Sequence, residues 1–239
     1  MLAVLSGSGT YELGKLREEY HTMTPFGDSV IYITKVGKKE ILFVPRHGKD
    51  HTMPPHKINY KANIFALGKL GATAAIGTYA CGVISKYKPG DIILLNDFIG
   101  MDFPITFFDD FSAGIKHFDY SEPFDKKLVE KVEESAAIHR IQLKKGGIVK
   151  TTPGPRFETK AEIFMYKKLG INLVNMTSAY EITLMREGEI PFVGLGVGTN
   201  YACGISKKPL SHKEVVDLMR KKNGQLELIV KELAMFITD

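Results

Sequence analysis

Cysteine is scarce in this chain, with two residues in 239, Cys81 and Cys203. That is too few for the disulfide framework of a small secreted domain, and the pair lacks the C-x-x-C spacing of a zinc or redox site. Reduced thiols are expected. Long apolar runs are missing as well: no stretch reaches the roughly 18 residues that a membrane-spanning helix needs. The opening residues MLAVLSGSG carry no basic region and soon reach a glycine turn, so they read as a first strand and not as a leader. A soluble, cytoplasmic protein is expected. The chain also lacks low-complexity linkers and repeats of solenoid period.

Core material, in contrast, is plentiful. Hydrophobic residues make up 44% of the chain and aromatics 10%, enough for one α/β domain over residues 1–239. The net charge of +5 suits an anionic ligand. Its lysines, however, lie along polar helix faces such as KKLVEKVEES and are not gathered with aromatics, which argues against a nucleic-acid surface.

Short β-branched or apolar runs alternate with longer amphipathic segments, the pattern of an α/β fold. Strands are expected at Leu2–Ser6, Val30–Val36, Lys39–Pro45, Ala74–Thr78, Asp91–Phe98, Gly147–Thr152, Leu173–Asn175 and Phe192–Val197. Helices are expected at Tyr60–Leu70, Lys126–Ile138, Thr159–Leu169, Ala179–Glu187 and Ser211–Ile237. Phe103 to Pro123 has no period and reads as a long loop. Two near-identical segments, GTYACG at Gly77–Gly82 and GTNYACG at Gly198–Gly204, each follow an apolar run and read as the same turn used at two strand ends. Ligands of open α/β sheets collect beyond the carboxyl ends of strands, so both turns are expected at one pocket.

Four segments have the residue types for chemistry. LSGSGTYELG, from Leu5 to Gly14, has a Gly-x-Gly turn whose amides, beside Ser6 and Ser8, form either an anion-binding nest or a plain tight turn. It is no dinucleotide fingerprint, because Glu12 stands where the third glycine belongs, and no Gly-Lys-Ser/Thr follows. PRHGKDHTMPPHKINYKAN, from Pro45 to Asn63, offers Arg46, a fork-shaped donor suited to phosphate, next to His47. His47, His51 and His56 have a helical ligand spacing, but Pro54 and Pro55 deny the helix, which leaves a solvated basic loop as the plain alternative to a metal site. In TTPGPRFETKAEIF, two prolines and a glycine fix a loop ahead of a helix capped by Thr159. Phe157 and Glu158 there either meet a heterocycle or serve as core residue and helix-start acid. VNMTSAYEITL brings Met176, Thr177 and Glu181 after an apolar run.

Taken together, RHG…H…P…NY.AN, ACG, EPF, GPRFET.AE, NMT and GTNYACG resemble the trimeric purine nucleoside phosphorylase and 5′-methylthioadenosine phosphorylase family, in order from about Leu5 to about Val215. The resemblance implies a single nucleoside phosphorylase domain, with a central mixed twisted β-sheet, partly barrel-like, flanked by helices. It also implies phosphorolysis, in which inorganic phosphate attacks the anomeric carbon of a purine nucleoside to give the free base and a sugar 1-phosphate. Phosphate is then a co-substrate, and no metal or organic cofactor is expected.

Carried over residue by residue, the phosphate site falls on Ser8, Arg46, His47, the backbone at Ala80, and Thr177. Tyr79 departs from the small hydroxyl residue of many relatives. Met176 matches the sugar-facing methionine, and Phe157, Glu158, Thr199 and Asn200 match the base-facing positions. Arg46, His47 and Asn200 are the expected catalytic residues. His212 falls where 6-oxopurine enzymes carry a histidine near the 5′-hydroxyl. His117 matches a residue that closes this end of a neighbouring subunit's pocket, which implies a homotrimer or a dimer of trimers.

Methylthioadenosine-type relatives place aspartates at the positions of Asn200 and Ala202 and a small residue at Glu158. Asparagine, alanine and glutamate resemble the 6-oxopurine pattern: the amide donates to N7 and O6, and the carboxylate accepts from N1–H. Inosine and guanosine are therefore expected over adenosine. The alternatives are a 5′-methylthioinosine or 5′-methylthioadenosine phosphorylase, a binding module without turnover and, less favoured, a nucleic-acid-binding protein.

Overall fold

The computed structural model describes residues 1–7, 18–101, 104–112, 114–207 and 209–237. Among these residues nine strands join one sheet: β1 (Leu2–Ser6), β2 (Glu18–Thr24), β3 (Gly27–Val36), β4 (Lys39–Pro45), β5 (Ala74–Val83), β6 (Ile92–Ile99), β7 (Leu143–Thr151), β8 (Leu173–Asn175) and β9 (Phe192–Tyr201). Five helices accompany them: α1 (Tyr60–Lys69), α2 (Lys126–Ile138), α3 (Lys160–Lys168), α4 (Ser178–Glu187) and α5 (His212–Phe236).

The strand order is β2-β3-β4-β1-β5-β8-β7-β6-β9, and β9 pairs back onto β5. The last five strands thus close into a barrel, and β1 to β4 form an open wing on its β5 side. Parallel pairs β1–β4, β1–β5, β5–β9, β6–β7 and β7–β8 mix with antiparallel β2–β3, β3–β4, β5–β8 and β6–β9.

Strand β1 is buried on both faces, which is why it reads as an unbroken apolar run. Ala3 and Leu5 pack in one core with Tyr60, Ile64 and Leu67 of α1 and Leu184 and Met185 of α4. Leu2 and Val4 pack in the other with Leu128 and Val132 of α2 and Met219, Leu226 and Leu233 of α5. The helices thus cover both sides of the sheet, as the expected α/β architecture requires. Strand β2, EEYHTMT, is absent from the sequence reading because only Thr22 of it is buried; it is an edge strand whose polar side chains leave no apolar alternation.

The echoed segments require a correction. GTYACG is no turn, because β5 runs through it to Val83, whereas in GTNYACG β9 continues to Tyr201 and only Ala202–Gly204 turn beyond it. The two strands lie side by side in parallel, and the ladder between them overrides the turn propensity of their glycines and asparagine. Opposite Cys81–Gly82, β9 carries an extra residue: Cys81 pairs with Gly198 and Gly82 with Asn200, so Thr199 is bulged out of register. Bulges of this kind re-aim side chains beside sites.

Candidate active site

A cavity of about 520 Å³ opens where β5, β8 and β9 meet the loops after β1, β4 and β7. Its lining contains nearly every described residue that the sequence reading selected: Arg46, His47, Ala80, Phe157, Glu158, Met176, Thr177, Thr199, Asn200 and His212. Ser8 lies outside the described residues. His117 does not line the cavity of its own chain; it is exposed, with its ring edge-on to Phe111 at 6.0 Å.

Arg46 sits immediately after β4, and its backbone N–H donates to the Ser6 carbonyl at 3.0 Å, tying the end of β4 to the end of β1. Its side chain is 2% exposed and held on several sides. Nε donates to Glu181 Oε1 at 2.7 Å and Nη2 to Glu181 Oε2 at 2.9 Å. Nη2 also donates to the Leu5 carbonyl at 3.0 Å, and Nη1 to the Thr78 carbonyl at 2.9 Å. These bonds use four of the five guanidinium N–H groups. The sequence reading took Arg46 as a fork-shaped donor suited to phosphate. The structure turns its two-pronged edge toward Glu181 and leaves one Nη1–H on the cavity side, next to Gly7.

His47 is anchored by Nδ1 to the Met53 carbonyl at 2.8 Å. A carbonyl only accepts, so Nδ1 carries the proton and Nε2 keeps its lone pair. Burial pushes the imidazole pKa down to about 4, against the Met53 bond and with help from the Arg46 charge. Beyond it, the His51 ring stands 4.6 Å from His47 and 5.7 Å from His212, whereas His56 takes no part in the lining. The wall at this end adds Met53, Leu210 and Val215.

Thr177 starts helix α4, but its hydroxyl does not cap it. Asn175 does that work: Oδ1 accepts from the N–H groups of Thr177 and Ser178, both at 3.2 Å, and from the hydroxyls of Ser178 at 3.0 Å and Thr151 at 3.1 Å. The turn that carries Met176 and Thr177 is thereby fixed to β7. Gly154, at φ +61°, closes the other side, since a Cβ there would strike the Met176 sulfur.

At the opposite end, Glu158 is 7% exposed and Oε1 accepts from the Thr152 hydroxyl at 2.8 Å. Burial raises its carboxyl pKa, opposed by that hydrogen bond. Phe157 beside it is 41% exposed. Both are held by the start of α3, where Thr159 and Glu162 form a capping box and Arg156 grips Glu162 with two bonds. Asn200, on β9, donates Nδ2–H to the Tyr201 carbonyl at 3.0 Å, while Oδ1 accepts from the Thr199 hydroxyl at 2.8 Å.

Sequence reasoning named Glu181 but gave it no task, weighed His51 only as one of three histidines for a metal site, and gave no role to Thr152 or Asn175. The available signal was a rule of burial: an arginine predicted at the base of a pocket needs a carboxylate partner, and Glu181 is a helix-start acid flanked by apolar residues.

Residues 1–234 match the family model of the phosphorylase superfamily. The chain is 39% identical to a Moorella thermoacetica protein named "Probable 6-oxopurine nucleoside phosphorylase", over 97% of this chain and 91% of that one. It is 38% identical to the 6-oxopurine nucleoside phosphorylase of Pyrococcus furiosus, over 96% and 90% of the two chains. A Methanopyrus kandleri protein named "Probable S-methyl-5'-thioinosine phosphorylase" is also 38% identical, over 99% and 92%. Among solved structures, methylthioadenosine phosphorylase from Schistosoma mansoni in complex with adenine superposes with a TM-score of 0.89 at 28% identity, covering 98% of this chain and 91% of that one. With the match running from β1 into α5, the chain belongs to the phosphorylase superfamily, among the purine nucleoside and methylthioadenosine phosphorylases.

Proposed function

We propose that this protein phosphorolyses 6-oxopurine nucleosides, inosine and guanosine, to the free base and ribose 1-phosphate. The observation that carries this reading is the fixed orientation of the Asn200 amide. The Tyr201 carbonyl accepts only, so Nδ2 must face it, and Oδ1 is then the atom beside the Thr199 hydroxyl, whose single proton it shares with the Cys81 carbonyl at 3.2 Å. Turning the amide over would set two carbonyl oxygens against each other. The second Nδ2 hydrogen is therefore a donor for the purine O6 or N7, with the Glu158 carboxylate as acceptor for N1–H. Adenine presents an amino donor where Asn200 donates and lacks the N1–H that Glu158 would take. Leaving such groups unmatched typically costs a site a large factor in kcat/KM.

In this reading the Nη1–H of Arg46, the Ala80 backbone and Thr177 hold phosphate below the sugar, with Met176 against the ribose. His47 is neutral and presents Nε2 as an acceptor for the O–H of a monoprotonated phosphate. Rate acceleration comes from two aligned tasks: fixing the nucleophile under the anomeric carbon, and donating to the purine as negative charge builds on it. The chemistry calls for no cofactor.

A second reading, phosphorolysis of S-methyl-5′-thioinosine, is favoured by one observation. The wall around His51 and His212 includes the apolar Met53, Leu210 and Val215 beside Thr52, and so suits a thioether as well as a hydroxyl. Among the described residues no helix is long and apolar enough to cross a membrane. Cys81 and Cys203 are free thiols, in keeping with a cytoplasmic enzyme. His117 and the exposed Phe111 and Ile115 suit a homotrimer in which this segment closes a neighbour's pocket.

The test is base release from inosine, guanosine, adenosine and the 5′-methylthio forms, with and without phosphate. Hypoxanthine and guanine release should require phosphate, with adenosine at least about 100-fold poorer in kcat/KM. Asn200→Asp should narrow that gap from both sides. Equal use of adenosine, or release without phosphate, would overturn the assignment.

A further inference from the structure

Tyr79 is the largest of the fully buried side chains, 1% exposed, and it does not line the cavity. Its hydroxyl donates to Glu181 Oε2 at 2.7 Å, and its ring lies 4.7 Å from Arg46 Cζ. One side chain therefore touches both halves of the buried ion pair. Burial, with the Glu181 charge behind it, raises the phenol pKa well above its usual value, so the hydroxyl remains a donor throughout the physiological range. The neighbouring strand position is built for it: a Cβ on Gly77 would collide with the Tyr79 hydroxyl and with the Phe192 ring.

Resting on the phosphorolysis reading, we propose that Tyr79 is a positioning residue for the phosphate site, fixing Glu181 and, through it, the direction in which Arg46 presents its remaining Nη1–H. Among the described lining residues Arg46 is the one permanent cation, and Glu181 offsets its charge. The anion is therefore held by aim more than by excess positive charge. A hydrogen bond weakens steeply as its angle falls toward about 120°, so a small rotation of the guanidinium removes the contact. Glu181 binds two N–H groups on one guanidinium edge but can itself turn about its terminal torsion. The Tyr79 hydroxyl is the third point that stops this, while the ring supports the guanidinium face. A tyrosine that stands where related enzymes carry a small hydroxyl residue is thus placed behind the arginine, not beside the phosphate.

The experiment compares wild type with Tyr79→Phe, which deletes the hydroxyl and keeps the ring. Tyr87→Phe serves as the control, because its hydroxyl donates to the Lys145 carbonyl at 2.8 Å, outside the cavity lining. Four quantities are read: KM for phosphate, KM for inosine, Tm alone, and Tm with inorganic phosphate. Tyr79→Phe should raise the phosphate KM about tenfold, in proportion to one hydrogen bond to a charged group. Its inosine KM should stay within about twofold, and its phosphate-induced rise in Tm should shrink. Tyr87→Phe should lower Tm and leave both KM values unchanged. Gly77→Ala, which keeps the tyrosine but fills the space its hydroxyl needs, should reproduce the phosphate defect and stands in if Tyr79→Phe fails to fold. An unchanged or lower phosphate KM in the folded variants, or equal rises in both KM values, overturns the proposal. A wild type that releases no base with phosphate and gains no Tm from it overturns the phosphorolysis reading as well, a result separable from insensitivity of Tyr79→Phe in an active enzyme.

Discussion

His47 shows how a single buried side chain couples this site to pH. Its folded pKa of about 4 lies below the usual value of 6.5. Between those values the unfolded chain binds the proton and the folded chain does not, so stability rises with pH across that window. The contribution is complete above about pH 6.5 and is lost as pH falls toward 4, in total about 3 kcal/mol. His51, whose pKa is also lowered by burial and by His212, adds in the same direction. Denaturant unfolding from pH 7 to 4 should therefore show falling stability, and His47→Gln should flatten the fall; an unchanged slope would contradict the buried neutral imidazole. Residues of this kind were partly legible in the sequence. Arg46 and His47 follow a strand as RHG, and the chemistry of each is intrinsic to its type. The direction of the Arg46 fork was not legible, because it depends on Glu181, 135 residues away in the chain.

Among the elements, helix α4 illustrates support without a conventional cap. Thr177 occupies the N-cap position, yet Asn175 supplies the acceptor, leaving the Thr177 hydroxyl for the cavity. Asn175→Ala would leave two buried N–H groups unpaired and should cost about 2 kcal/mol, within the range for such losses. It should also raise the phosphate KM, because Thr177 moves with the turn; Asn175→Asp, which keeps the acceptor, should recover much of both. A stable variant with an unaltered phosphate KM would remove Asn175 from the account. Elements with an apolar run or period, β1, β4, α2 and β8, were readable to the residue, and α5 to within one or two. Strand β2 was not, since a polar edge strand carries no such period. GTYACG and the first four residues of GTNYACG were misread as turns for a related reason: glycine, threonine and asparagine favour turns locally, and only the β5–β9 ladder makes them strand, while Ala202–Gly204 do turn.

For the molecule as a whole, barrel closure between β5 and β9 explains why two segments more than a hundred residues apart serve one cavity. Ala80 and Gly82 from the first copy, and Thr199 and Asn200 from the second, face the same space. The α/β class and the pocket at the ends of these strands were legible from the alternation of elements and the paired motifs. Closure itself was carried only by the family resemblance, because strand order is not written in local periodicity. If the homotrimer holds, solution mass should be three times the 26.6 kDa chain, and a monomer would leave His117 without its proposed role. The central claim is that one cavity holds an anion at the Arg46 end and a keto-purine at the Asn200 end. It is tested most directly by a crystal structure with inorganic phosphate and hypoxanthine bound together. The account predicts phosphate on Arg46 Nη1 and Thr177, with hypoxanthine between Asn200 Nδ2 and the Glu158 carboxylate; the two ligands on separate surfaces, or hypoxanthine turned away from Asn200, would contradict it.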